Sequence, residues 1–318
     1  MRKSTPQICQ IFKSYQSQKS TASALLALTD QLSRRPSNPR QTPMAPSNPH
    51  SQSPKETNLP QKPALILVHG FRGSPLGLAA IAKTLRQNGY VVHTPALPPF
   101  AGAKLHPTTL TSKTSKNQNK HRRLTYSPTD YADYLRHYIE TQNLTQPVLI
   151  GHSMGSIVVT AAARQYPKLV NQKLILLSPI STKPPRFISA ISPLANYLPR
   201  KIVDYITTKF LFVPHDKKLF RKTLDLTHQC SNDQPPSKSE LSAAMKFSTS
   251  YSIADFLEDM QKDISIIAGE RDHLINQKAT CKLANRCHAK VNLIPHSGHL
   301  HNYEKPTETA ELILKSLD

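Results

Sequence analysis

The sequence predicts an α/β fold: a mostly parallel sheet of about six strands, flanked by helices and interrupted by a helical insertion. Three observations predict it. From residue 64 onward, short apolar runs alternate with stretches of helical periodicity, the pattern of βα units whose strands are covered on both faces. One of those runs leads directly into Gly151-His152-Ser153-Met154-Gly155 and then into a helical pattern. Six of the nine glycines (Gly70, Gly73, Gly151, Gly155, Gly269 and Gly298) fall in short segments that follow predicted strands.

Taken in chain order, the predicted strands are Ala64 to Val68, Tyr90 to Thr94, Val148 to Ile150, Leu174 to Leu177, Ile264 to Ala268 and Val291 to Ile294. Helices fill the intervals. The first, Gly77 to Asn88, is stopped by Gly89, which accepts the left-handed conformation of a helix C-terminus. The second runs from Pro128 to Thr141, with Ser127 as cap and proline at the first helical position. The third, Ser156 to Tyr166, ends at Pro167, and the last follows Pro306 with Ala310, Ile313, Leu314 and Leu317 on one face.

Three segments stand outside this alternation. Residues 1–61 are basic and rich in Pro, Ser and Gln, with eight prolines between Pro36 and Pro63; such a composition cannot bury enough apolar surface to offset its ordering entropy. A disordered extension is therefore expected, leaving residues 62–318 as the folded domain. Residues 101–125 are polar, with six basic and no acidic residues, and predict a mobile loop. The stretch from about 180 to 257 carries helical patterns such as Ile202, Ile206 and Phe210, and is long enough to form a cap.

The chain has 318 residues, of which 38% are hydrophobic, enough for a sizeable core; 41 Lys and Arg oppose 20 Asp and Glu, for a net charge of +21. Most of that charge lies in the three peripheral segments. With no RNP, zinc-finger or helix-turn-helix signature beside it, the charge does not predict nucleic-acid binding, although weak association with anionic membranes fits it. The four cysteines have no CxxC spacing, which excludes a disulfide scaffold and argues against structural zinc. The longest apolar run near the N-terminus, Ala24 to Leu28, is far shorter than a bilayer-spanning helix. A cytoplasmic location is expected; the alternative is targeting or export through the basic N-terminal segment, and Met44 offers a second start.

Chemistry concentrates at the ends of the predicted strands. In the Gly151–Gly155 segment, a sharp strand-to-helix turn lifts the Ser153 hydroxyl above the sheet, and the glycines on either side relieve the crowding. A nucleophilic serine needs a base, and His299 follows the last predicted strand, with His296 and His301 as its competitors. The orienting acid is best placed at Asp272, after the preceding strand, with Glu270 the alternative. The three clustered histidines lack the carboxylate or cysteine partner a zinc site would need. Backbone donors for an oxyanion are available at Met154, after the serine, and at Phe71 in the turn His69-Gly70-Phe71-Arg72-Gly73.

These stretches, LILVHGFRGSP (65–75), VLIGHSMGS (148–156), LILLSP (174–179), IIAGERD (266–272) and PHSGHLHNYEKP (295–306), together resemble the α/β-hydrolase superfamily and its carboxylesterase and monoacylglycerol-lipase-like branch. The resemblance spans residues 62–318. It implies the α/β-hydrolase fold, a Ser153–His299–Asp272 triad, Phe71 and Met154 as oxyanion donors, and a mobile cap over the site. The chain departs from the family pattern in three places. Ala96 and Pro99-Phe100 replace an Asp and a Gly-His, Ser156 replaces a frequent third glycine, and no strand hairpin precedes Ala64, which implies a sheet reduced to about six strands.

The expected function is therefore a serine hydrolase that cleaves carboxylic esters through a covalent acyl-enzyme, with no metal or organic cofactor. Its expected partner is a small ester with an apolar acyl group, bound by cap residues including Phe187, Phe210 and Phe212. Acyl transfer and amide or C–C hydrolysis would use the same residues, and a catalytically silent binding protein is the alternative of a different class. The serine itself argues against dehalogenase and epoxide-hydrolase chemistry, which in related families uses an aspartate at that position.

Overall fold

In the computed structural model the described residues are 62–105, 125–183, 202, 235–257, 260–275 and 277–318. The expected N-terminal extension, most of the basic loop and most of the cap lie outside them, as do Phe187, Phe210 and Phe212. Ile202, within the cap stretch, is helical in backbone and exposed.

The described elements run β1 (Leu65–Val68), α1 (Ala79–Gln87), β2 (Val92–His93), α2 (Pro128–Thr141), β3 (Val148–His152), α3 (Met154–Gln165), β4 (Lys173–Leu177), α4 (Lys238–Ser250), α5 (Ala254–Leu257), β5 (Asp263–Gly269), α6 (Gln277–Arg286), β6 (Lys290–Ile294), α7 (His301–Glu304) and α8 (Pro306–Leu317), with a 3-10 turn at Pro75–Leu78. The strands form one six-stranded sheet in the order β2-β1-β3-β4-β5-β6, every neighbour pair parallel. Among the described residues no helix is long and apolar enough to cross a membrane.

Both faces of the sheet are covered, which is why its inner strands read as unbroken apolar runs. Alternate residues of β1 point to opposite sides. Ile66 and Val68 join a core with Met154, Ile157, Val158 and Leu135, whereas Leu65 and Leu67 pack with Ile81, Leu85, Ala310 and Ile313. The expected strands all form, but β2 is only two residues long. Among the described residues it is an edge strand paired with β1, and Pro95 follows within two residues, removing the donor a longer ladder would use. Helix α6 was not expected; only Thr280, Leu283 and Ala284 on it are buried, too sparse an apolar stripe to read in sequence.

Parallel pairing brings the C-terminal ends of β1, β3, β5 and β6 to one edge of the sheet. The strand order reverses between β1 and β3, the kind of switch point where α/β folds place their sites.

Candidate active site

Ser153 occupies the one-residue link between β3 and α3, at φ 52° and ψ −119°. A side chain in this region costs about 1–3 kcal/mol and persists only where the surroundings enforce it. The enforcement is visible. A Cβ on Gly151 would run into Gly155 O and come within 2.6 Å of Val159 Cγ2, and one on Gly155 would run into Val68 O and come within 2.7 Å of His69 O. Only glycines allow α3 to turn back this tightly onto β3 and β1. Ser156, the departure from a third glycine, is buried, and its hydroxyl donates to Ser153 O and accepts from Ile180 N at 3.3 Å, tying the elbow to the segment after β4.

The structure brings Ser153, His299 and Asp272 together. Ser153 Oγ lies 2.9 Å from His299 Nε2, and His299 Nδ1 lies 2.9 Å from Asp272 Oδ2. A carboxylate can only accept, so Nδ1 carries the imidazole proton and Nε2 is left to accept from the serine hydroxyl. Asp272 Oδ1 is held by the Leu274 and Ile275 N–H groups, both at 2.9 Å. Burial alone would raise the Asp272 pKa, but the His299 side chain and the Ile275 N–H outweigh it and hold the carboxyl below the usual range. Ser178 is buried beside it; its hydroxyl also favours the carboxylate anion, although it makes no hydrogen bond of full geometry. Asp272 is therefore ionised at neutral pH.

The competing residues lie elsewhere. Glu270 accepts from His296 N at 3.0 Å, and His296 is exposed, with Nδ1 2.8 Å from Arg271 Nη2. His301 is fully buried, with Nδ1 3.0 Å from Thr309 Oγ1.

Met154 opens α3, so its N–H is among the first-turn donors that no intrahelical carbonyl can satisfy. Phe71 lies in the turn closed by Gly73 N to Gly70 O at 3.0 Å, and a Cβ on Gly70 would come within 3.0 Å of Ser153 Cβ. The backbone after β1 thus runs directly against the serine, beside the N-terminus of α3.

Several residues that hold the site were not singled out in the sequence. His69 donates from Nδ1 to Gly70 O at 2.9 Å and accepts from Leu97 N at Nε2, 2.8 Å away. Burial pushes its pKa down to about 4, which keeps the accepting nitrogen free. The segment after β2, where Ala96 and Pro99-Phe100 depart from the family pattern, is fixed by α2: Tyr134 donates to Ala96 O at 2.7 Å and Tyr131 to Pro98 O at 2.8 Å. Phe100 is thereby buried edge-on against Phe71, 5.2 Å between ring centroids. On the other side, Glu304 of α7 accepts from Ser297 Oγ at 2.7 Å and Gly298 N at 2.6 Å, fastening the segment that carries His299. The bonds to Leu97, Ala96 and Pro98 join residues about 30 or more positions apart through backbone atoms, which no motif records.

Comparison with known proteins agrees with this architecture. The chain is 26% identical over 268 residues to the uncharacterized hydrolase YugF of Bacillus subtilis (strain 168), covering 80% of this chain and 89% of that one. It shares its fold with an esterase from Exiguobacterium antarcticum (TM-score 0.67, 14% identity, 80% of this chain and 91% of that chain). The same fold is seen in a thermophilic esterase from Thermogutta terrifontis (TM-score 0.62, 19% identity, 80% and 89%) and in a bromoperoxidase from Bacillus anthracis (TM-score 0.64, 19% identity, 80% and 91%). The model described as "Alpha/beta hydrolase family" matches residues 65–312, and the chain, with its parallel sheet and its serine on a strained strand-to-helix turn, belongs to that family.

Proposed function

We propose that this protein is a serine hydrolase that cleaves carboxylic esters through a covalent acyl-enzyme. One observation carries the reading: an unbroken hydrogen-bonded line from Ser153 Oγ through His299 to the buried Asp272, with both links at 2.9 Å. Family membership supports it, and two structures that share the fold are described as esterases.

In this reading Ser153 Oγ attacks the ester carbonyl while His299 Nε2 takes its proton. The carbonyl π electrons move to oxygen, and the Phe71 and Met154 N–H groups stabilise the resulting anion. Collapse breaks the bond to the alkoxy oxygen, which leaves as alcohol with the proton from Nε2. Water then attacks the acyl carbon, His299 takes its proton, the bond to Ser153 Oγ breaks, and the proton returns to the serine as the acid departs. Asp272 stays ionised throughout and keeps Nδ1 protonated.

The substrate is a small ester with an apolar acyl group, and the segment from about 180 to 257, including Phe187, Phe210 and Phe212, supplies its acyl pocket. The apolar character of that segment supports this role: each acyl methylene buried there is worth about 0.8 kcal/mol, or roughly fourfold in kcat/KM, until the pocket is full. A panel of nitrophenyl esters from acetate to decanoate tests it. The expected profile rises from acetate to a short or medium chain and is flattened by polar substitution at Phe210 and Phe212. A level profile removes the acyl pocket, and absence of turnover on every ester removes the esterase reading.

A further inference from the structure

His152, the residue before the serine, has no part in the chemistry above, yet it sits between the two loops that must stay in register. Its ring is almost fully buried. On one side its Nε2 lies 3.0 Å from the backbone carbonyl of His299. On another, a Cβ added at Gly70, in the turn that carries Phe71, would come within 3.3 Å of its Nδ1. The His301 ring closes a third side edge-on, with ring centroids 5.8 Å apart.

A carbonyl can only accept, so Nε2 must carry the imidazole proton and Nδ1 must be bare. Burial holds the ring neutral, its pKa pushed down to about 3 chiefly by desolvation, with the nearby His299 adding to the fall. This is the opposite tautomer from His69, which donates from Nδ1. Strand β3 is continuous with the elbow, so a bond from His152 to His299 ties the base to the same rigid strand that presents the nucleophile.

We propose that His152 is a positioning residue: its Nε2–H, donated to the His299 carbonyl, sets the distance between the base and Ser153. The role rests on the serine-hydrolase reading. It predicts which side chains can replace the histidine. The amide nitrogen of glutamine lies as many bonds from Cβ as Nε2 does, whereas that of asparagine stops at the depth of Nδ1. Phenylalanine keeps the ring and loses the donor.

The test compares His152→Gln, His152→Asn and His152→Phe with wild type by the second-order rate of fluorophosphonate labelling at Ser153, by kcat and KM on an activated ester, and by Tm. His152→Gln is expected within about threefold of wild type. His152→Asn and His152→Phe are expected to label about 10- to 100-fold more slowly while still folded, the loss falling on kcat and not KM, because a displacement of about 1 Å at a reacting group costs that much. Equal labelling rates in the three folded variants overturn the proposal. Should the variants not fold, 15N NMR of the histidines in the wild-type protein decides: a buried Nε2–H tautomer at His152 supports the bond, and an Nδ1–H tautomer overturns it. Failure of wild type to label at Ser153 sinks the hydrolase reading instead, and the NMR result stands apart from that outcome.

Discussion

Ser153 shows what a single strained residue requires of its neighbours. Its positive φ is affordable because Gly151 and Gly155 leave no Cβ between α3, β3 and β1, and that requirement is written locally, in five consecutive residues. Asp272 is legible for a similar reason: a short polar turn after a buried strand, with its carboxylate held by N–H groups two and three residues on. What Asp272 does for His299 is a matter of tautomer. Asp272→Asn keeps the shape but offers an amide that can donate to Nδ1, leaving the proton on Nε2 where it cannot accept from serine. Turnover is expected to fall by about 10⁴ with little change in Tm; a loss under tenfold in steady-state assays would mean that Asp272 is not the orienting group.

At the level of elements, the site depends on how α2 begins. Ser127 and Asp130 form a reciprocal cap, and the Asp130 carboxylate also accepts from Thr125 N and Thr125 Oγ1, each at 3.0 Å. Although burial opposes it, these bonds hold the Asp130 carboxyl below its ordinary range. The helix so started carries Tyr131 and Tyr134, which pin the segment that packs Phe100 onto Phe71. Asp130→Ala is expected to cost about 1–3 kcal/mol, seen as a Tm lowered by about 2–4 °C per kcal/mol for a chain of this size; an unchanged Tm in calorimetry would deny the cap its role. Ser127, followed by proline, made this start readable in sequence. The tyrosine bonds were not readable, because helical periodicity says which face is buried and nothing about which carbonyl a hydroxyl will meet. Helix α6 was missed for the same kind of reason, its buried face being Thr280, Leu283 and Ala284. The six strands followed from the apolar runs, whereas the fastening of the His299 segment by Glu304 and His152 did not, since each depends on a backbone atom brought near by the fold.

At the scale of the whole molecule, three of the four histidines buried among the described residues, His69, His152 and His301, share one electrostatic consequence. Desolvation is the main cause in each, pushing His69 to about 4, His152 to about 3 and His301 well below the ordinary value of 6.5. Because the folded values lie below the unfolded one, their contribution to stability is complete above pH 6.5 and is lost as the pH falls from there through the folded values, by about 1.4 kcal/mol per unit for each group. Asp130 and Asp272, also depressed, add a further loss only below about pH 4. Melting curves are therefore expected to be level between about pH 7 and 9 and to fall steadily between about pH 6.5 and 4. Added salt should leave that fall in place, because it screens the repulsion of a +21 chain far better than it relieves a buried ring. A Tm constant from pH 7 to 5 would contradict the burial of these rings. The central claim, that Ser153 is the nucleophile His299 activates, is met most directly by fluorophosphonate labelling with intact mass and peptide mapping. One adduct per chain, on Ser153, absent from Ser153→Ala and strongly slowed in His299→Gln, is the predicted result; an adduct that forms equally well on Ser153→Ala would contradict it.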